Sequence, residues 1–186
     1  RIKNPNHVKL VYLGRISEVK NLLQCISTLK LTNSQYQFSL DVYGPEENPE
    51  YLETCKNEIA TLPEHVSVQL KGGVENALIN GILSEYHFLF LLTLNENFGH
   101  AIVEGLTAGC PVIISDKTPW RNLEEKKCGW DLSLSDDNKI IDTLHFAASL
   151  NQETYDIWSE SAYHFASGIN ENKKAIDDHI RMFESL

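Results

Sequence analysis

Apolar positions along the chain switch between two periods. Short runs that alternate or stay continuously apolar, "VKLVYLG" (8–14), "QFSLDVYG" (37–44), "VSVQLKG" (66–72), "HFLFLLT" (87–93) and "PVIIS" (111–115), are strand candidates, and "GWDLSL" (129–134) is a sixth. Between them the apolar residues recur at helical spacing. Leu22, Ile26 and Leu29 mark one helix, "YLETCKNEIATL" a second and "ENALINGILSEY" a third. Each crossover is about the length a βαβ unit needs. The alternation predicts an α/β fold, a Rossmann-like three-layer sandwich with a mainly parallel sheet of five to six strands. After residue 136 the period is helical only. Extra C-terminal helices are expected around Ile141, Leu144 and Ala148, around Trp158, Ala162 and Phe165, and around Ile176, Ile180 and Phe183.

Composition narrows the function classes. A length of 186 residues suits one domain, taken as 1–186, and an apolar fraction of 42% is ordinary for a globular chain. The formal charge of −10, with no block of Lys and Arg, excludes nucleic acid as a partner bound by phosphate neutralisation. Cys25, Cys55, Cys110 and Cys128 form no C-x-x-C pair; three of them fall inside helical or apolar segments and read as small core residues, and a reducing cytoplasm fits best. No apolar run has the length of a membrane span, so no membrane contact is expected within this chain. The opening "RIKNPNHVKL" lacks an initiator Met and enters a strand almost at once, which reads as a piece of a longer protein. Metal catalysis lacks both a clustered His or Asp set and a D-x-D motif, so no metal site is predicted.

In a parallel sheet the segments after each strand gather along one edge, where open α/β sheets bind ligands. Here those segments are "GRISEVKN", "GPEEN", "GGVEN", "TLNENFGH" and "SDKTPWRN". Gly14, Gly44, Gly72 and Gly73 let backbone approach a ligand, with Val74 beside them, while Arg15 and Lys20 place two cations at the edge despite the acidic whole. Gly99, His100 and Ala101 open a helix whose free N–H groups attract anions, with Phe98 just before it. These groups can hold a diphosphate. Glu96 and Glu104, repelled by phosphate, are better suited to accept hydrogen bonds from sugar hydroxyls. The pattern reads as a nucleotide-sugar site. It lacks the G-x-G-x-x-G of a dinucleotide-dependent dehydrogenase and the G-x-x-x-x-G-K-[ST] of a P-loop NTPase.

"GRISEVKN" followed about eighty residues later by "ENFGHAIVEGLTAGCPVIIS" resembles the donor-binding half of family 4, or group 1, glycosyltransferases of the GT-B fold, whose E-x7-E motif matches Glu96 and Glu104. The resemblance runs over nearly the whole chain. It implies that Arg15 and Lys20 bind the donor diphosphate, that Glu104 binds the ribose hydroxyls and that Glu96 faces the transferred sugar. It further implies a retaining sugar transfer to a glycan or lipid-linked acceptor held by a separate N-terminal domain. UDP is the favoured donor nucleotide and GDP the alternative, with no cofactor or metal. "TPWRNLEE" is similar to bacterial members that build capsule or O-antigen, which would place the full-length enzyme in the cytoplasm at the inner face of the membrane. "YGPEEN" departs from the common G-x-G by keeping only Gly44.

Blander readings compete at single positions. Arg15 and Lys20 could pair with Glu18 on the surface, and His100 could be a helix-start histidine with no ligand. Trp120 reads as packing or interdomain contact rather than a sugar platform. For the chain as a whole the alternative is a non-catalytic nucleotide-binding or interaction module.

Overall fold

The computed structural model describes residues 1–184, with side chains for residues 1–169. In chain order the elements are β1 (His7–Leu13), α1 (Leu22–Lys30), β2 (Gln37–Tyr43), α2 (Pro49–Ile59), β3 (Val66–Gly72), α3 (Asn76–Leu83), β4 (Phe88–Leu91), α4 (His100–Thr107), β5 (Val112–Ser115), β6 (Gly129–Leu132), α5 (Asp137–Ser149) and α6 (Gln152–Glu184). All six strands join one sheet in the order β3-β2-β1-β4-β5-β6, and every neighbouring pair is parallel. The expected parallel α/β sandwich is what forms, with "GWDLSL" supplying the sixth strand.

Helix contacts divide into two groups, α2–α1–α5 and α3–α4–α6, one on each face of the sheet. The faces follow from right-handed crossovers. Successive strands laid in one direction put α1 and α2 on one side, and the jump back from β3 to β4 puts α3 and α4 on the other. The middle strands β4 and β5 are buried at every position, as continuous apolar runs demand, whereas the edge strand β3 is only partly buried and shows exposed Ser67, Gln69 and Lys71. Burying one Leu or Phe of β4 contributes about 1.5–3 kcal/mol.

Local signals set most boundaries. Asn48 caps α2, its side chain accepting from the N–H groups of Glu50 (2.9 Å) and Tyr51 (3.1 Å), and Pro49 occupies the first helical position, so α2 starts two residues before "YLETCKNEIATL". β4 is shorter than "HFLFLLT" because Thr93 leaves the ladder to meet the loop after β1, its hydroxyl 2.9 Å from the Val19 carbonyl. The C-terminal region holds two helices where three were expected. No proline interrupts residues 152–184, and Gly168 alone does not stop α6. The apolar face of Ile176, Ile180 and Phe183 lies outside the residues whose side chains are described.

All four cysteines are buried and free. Burial pushes the thiols of Cys25 and Cys110 up to about 12, which fits inert core residues. Lys3 is also buried. Its ammonium donates to the carbonyls of Ala148 (3.0 Å) and Leu150 (3.1 Å) at the end of α5, and desolvation lowers its pKa to about 8. The chain start is thereby tied to the C-terminal helices.

His87, 2% exposed, enters β4 as a neutral ring: Nδ1 accepts the Lys9 N–H (2.9 Å) and Nε2 faces the Ile2 carbonyl (2.9 Å). Burial pushes its pKa down to about 4; the Ile2 carbonyl favours the charged form, while Lys3, His7 and Lys9 add repulsion. A proton on Nδ1 would also point at the Lys9 N–H. Because the folded pKa lies below the unfolded one, His87 contributes stability that is complete above about pH 6.5 and lost as pH falls toward 4. Urea denaturation should show roughly 2 kcal/mol less stability at pH 5 than at pH 7.5 from this group. The His87→Gln variant should lose less between those two pH values; an equal loss would remove His87 as the cause.

Candidate functional site

The strand order reverses between β1 and β4, so the loops leaving these neighbours diverge and open a crevice at the carboxyl edge of the sheet. Gly14, Arg15 and Lys20 leave β1, Gly44 leaves β2, Gly73 and Val74 follow β3, and Glu96, Phe98 and Gly99 lie between β4 and α4. His100, Ala101 and Glu104 are in α4. Parallel pairing therefore brings all the predicted site residues to one edge.

Hydrogen bonds stitch the rim together. The Leu94 N–H donates to Val19 O (2.8 Å), the Asn21 side-chain amide to Leu92 O (2.8 Å), and the Glu96 N–H to Lys117 O (2.9 Å) in the loop after β5. Asn21 sits in the left-handed region at φ 54°, which asparagine tolerates, and ends the short 3-10 turn Glu18–Lys20 that presents Lys20. Beneath the loop the buried Tyr12 hydroxyl donates to Arg15 O (3.0 Å).

Lys20 and Glu96 form an ion pair across the crevice, with only 19% and 21% of their side chains exposed. Burial opposes ionisation of Glu96, but Lys20 and the backbone amides of Phe98 and Gly99 outweigh it and hold the carboxyl below its ordinary value. Arg15 pairs instead with Glu47 from the loop after β2, and both remain about half exposed. Glu18, the partner considered from sequence, accepts from Asn48 Nδ2 (2.7 Å). Thus each of the two cations already faces a carboxylate, and neither is the one the surface reading supposed.

Gly99 begins α4 at φ 84°, and a Cβ there would lie 2.8 Å from Ile102 Cδ1 and 3.0 Å from Trp120 Nε1. Only glycine fits that approach. Among the described residues no side chain caps α4, which leaves first-turn N–H groups without an intrahelical partner beside the crevice. Trp120 does more than pack: its Nε1–H donates to Phe98 O (2.7 Å), while the Phe98 ring rests on His100 at 4.8 Å between centroids. The turn that aims α4 is thereby anchored to the loop after β5. Sequence reasoning missed this anchor and missed Glu47; the acidic "GPEEN" where a glycine pair is usual was the available signal for the second.

Glu104 lies on the other side of α4's first turns and lines a groove of about 190 Å³ with Asn76, Ile79, Asn80, Val103 and Thr107. Burial pushes its carboxyl above the ordinary value while His100, one turn before it, pulls the other way. The two glutamates thus differ in setting. Glu96 is a paired anion in the crevice, and Glu104, without an ion-pair partner among the described residues, lies beside the α3–α4 groove. Among the described residues no group of three or more His, Cys, Asp or Glu could hold a metal, and no helix is long and apolar enough to cross a membrane.

The six-stranded parallel sheet with helices on both faces is the α/β fold of one half of a GT-B glycosyltransferase. The family model described as "Glycosyl transferases group 1" matches residues 2–165, and the chain belongs to that family. It is 27% identical over 127 residues to the GDP-mannose:cellobiosyl-diphosphopolyprenol alpha-mannosyltransferase of Komagataeibacter xylinus, a match covering 67% of this chain and 31% of that protein. Among solved structures, WaaG, a glycosyltransferase involved in lipopolysaccharide biosynthesis, superposes with a TM-score of 0.72 at 18% identity, over 88% of this chain and 44% of that one. Alr3699/HepE of Anabaena, in complex with UDP and glucose, superposes with a TM-score of 0.71 at 16% identity, over 93% of this chain and 48% of that one. The chain therefore spans less than half the length of these relatives.

Gly44 tests how the rim is built. At φ 155° a Cβ on it would lie 1.8 Å from the Gly14 carbonyl oxygen, a backbone atom that cannot swing aside. Gly44→Ala should therefore force apart the loops after β1 and β2 and cost at least about 2 kcal/mol in chemical denaturation. A variant as stable as the parent would contradict this packing.

Proposed function

We propose that this chain is the C-terminal, donor-binding domain of a retaining glycosyltransferase that uses a nucleotide-sugar and acts on a glycan or lipid-linked acceptor in bacterial surface polysaccharide synthesis. The observation that carries the proposal is the Lys20–Glu96 pair across the β1/β4 crevice, beside the uncapped start of α4, in a chain of the group 1 family. A diphosphate in the crevice would meet Arg15, Lys20 and the first-turn amides of α4. Glu104 would accept from ribose hydroxyls at the mouth of the α3–α4 groove, with Gly73 and Val74 approaching the base through backbone. Glu96, held ionised by Lys20, would orient the hydroxyls of the transferred sugar.

In the transfer, the bond between the anomeric carbon and the diphosphate oxygen breaks and its electron pair stays on the diphosphate. A bond to the acceptor hydroxyl oxygen forms, and that hydroxyl's proton passes to the departing diphosphate oxygen. Arg15 and Lys20 stabilise the charge that develops on the leaving diphosphate. UDP is the first choice of nucleotide, in keeping with the UDP in the HepE complex, and the name of the mannosyltransferase relative makes GDP the alternative. The acceptor would bind on a second, N-terminal domain, in keeping with the longer chains of the relatives.

Calorimetry with UDP, GDP and ADP tests the site. Weak, measurable binding of one of them is expected, and a folded sample that binds none would overturn the assignment. In the intact enzyme with acceptor supplied, Arg15→Ala and Lys20→Ala should each depress turnover strongly, since a charge-assisted contact contributes roughly 1.5–3 kcal/mol before any gain in the transition state. Glu104→Gln should chiefly weaken donor binding. Near-normal turnover in both cation variants would remove their leaving-group role, and a Glu104 variant that lost turnover at unchanged donor affinity would exchange the roles of the two glutamates.

A further inference from the structure

The loop after β2 is clamped to the loop after β1 by its own backbone. The Ile16 N–H donates to Pro45 O (2.9 Å), the Glu47 N–H to Ile16 O (3.3 Å), and Asn48 Nδ2 to Glu18 (2.7 Å). Ile16 and Glu46 form an isolated parallel bridge, and Gly44 lets the two loops touch. These contacts set the Glu47 carboxylate against the Arg15 guanidinium, so the pairing follows from the loop and not from a chance meeting of two long side chains.

A carboxylate offers a guanidinium the same planar pair of anionic oxygens that a phosphate does. The donor-free Arg15 is therefore already occupied by a ligand-like group. We infer that Glu47 is a built-in competitor of the donor diphosphate for Arg15, exchanged for phosphate when donor binds and restored when the nucleoside diphosphate leaves. The inference rests on the donor-site reading above. The pair is half exposed, so the exchange meets little desolvation cost, unlike separation of the less exposed Lys20–Glu96 pair. Its consequence is a weaker hold on the product and on stray anions. Lys20 and the α4 amides then supply binding that Glu47 does not contest.

The test is calorimetry at low ionic strength with UDP and GDP on the parent chain, Glu47→Gln, Glu47→Ala and Glu46→Gln. Glu46 lies in the same loop but is not paired with Arg15, so Glu46→Gln removes an equal charge from the neighbourhood alone. Both Glu47 variants should bind the preferred nucleoside diphosphate about two- to five-fold tighter than the parent, the range a surface ion pair commands, and Glu46→Gln should gain less than half as much. Unchanged or weaker binding in the Glu47 variants, or an equal gain in Glu46→Gln, would overturn the inference and leave the donor site standing. Failure of every folded variant and of the parent to bind any nucleoside diphosphate would overturn both together.

Discussion

After β3 the chain crosses back over β2 and β1 to lay down β4, and the right-handedness of parallel crossovers then sends the later helices to the opposite face of the sheet. This reversal is the constraint on which the rest depends. Between β1 and β4 no helix can follow one strand's end across the other's, so a crevice opens at their carboxyl ends. The segments entering it from the two sides bring together Arg15 and Lys20 from one and Glu96 with the start of α4 from the other. Were the strand order sequential, β2 and β3 would lie between them.

The crevice is also an electrostatic compromise. A chain of formal charge −10 gathers two cations at one place and holds each against a carboxylate. The two pairs differ in how firmly they are set. Lys20–Glu96 is shielded and further held by the amides of Phe98 and Gly99, which keeps Glu96 ionised, whereas Arg15–Glu47 lies open on the rim. A shielded pair with extra hydrogen bonds persists and positions its members; an open one exchanges partners readily.

Support for the crevice comes from hydrogen bonds between the loops that frame it. Trp120 binds the Phe98 carbonyl, Asn21 the Leu92 carbonyl, and the Tyr12 hydroxyl the Arg15 carbonyl, so the three loops around the switch point are braced from below and from the side. Farther off, Lys3 and His87 tie the first residues to α5 and β4. Membership of the group 1 glycosyltransferase family agrees with this arrangement, since structures that superpose on it share the fold at identities of 18% and 16%. At such identities it is the backbone frame that is common.

The strands, the first five helices and the gathering of site residues at one edge were legible in the sequence, because apolar periodicity reports which face of an element is buried and parallel crossovers force strand ends together. Gly99 was legible for a similar reason, since a left-handed turn opening a helix favours glycine, whereas the E-x7-E spacing of Glu96 and Glu104 was legible only through the family resemblance. The continuity of α6 was not, since a helix with no proline or capping signal has no local mark of where one apolar stripe yields to the next. Nor were the partners of the two cations. Glu47 and Glu96 lie 32 and 76 residues along the chain from Arg15 and Lys20, and one acidic residue in a loop resembles another in sequence. Only the tertiary structure, by reversing the strand order and clamping the loop after β2 onto the loop after β1, decided which carboxylate each cation meets, because charge pairing depends on separations in space that local periodicity does not encode.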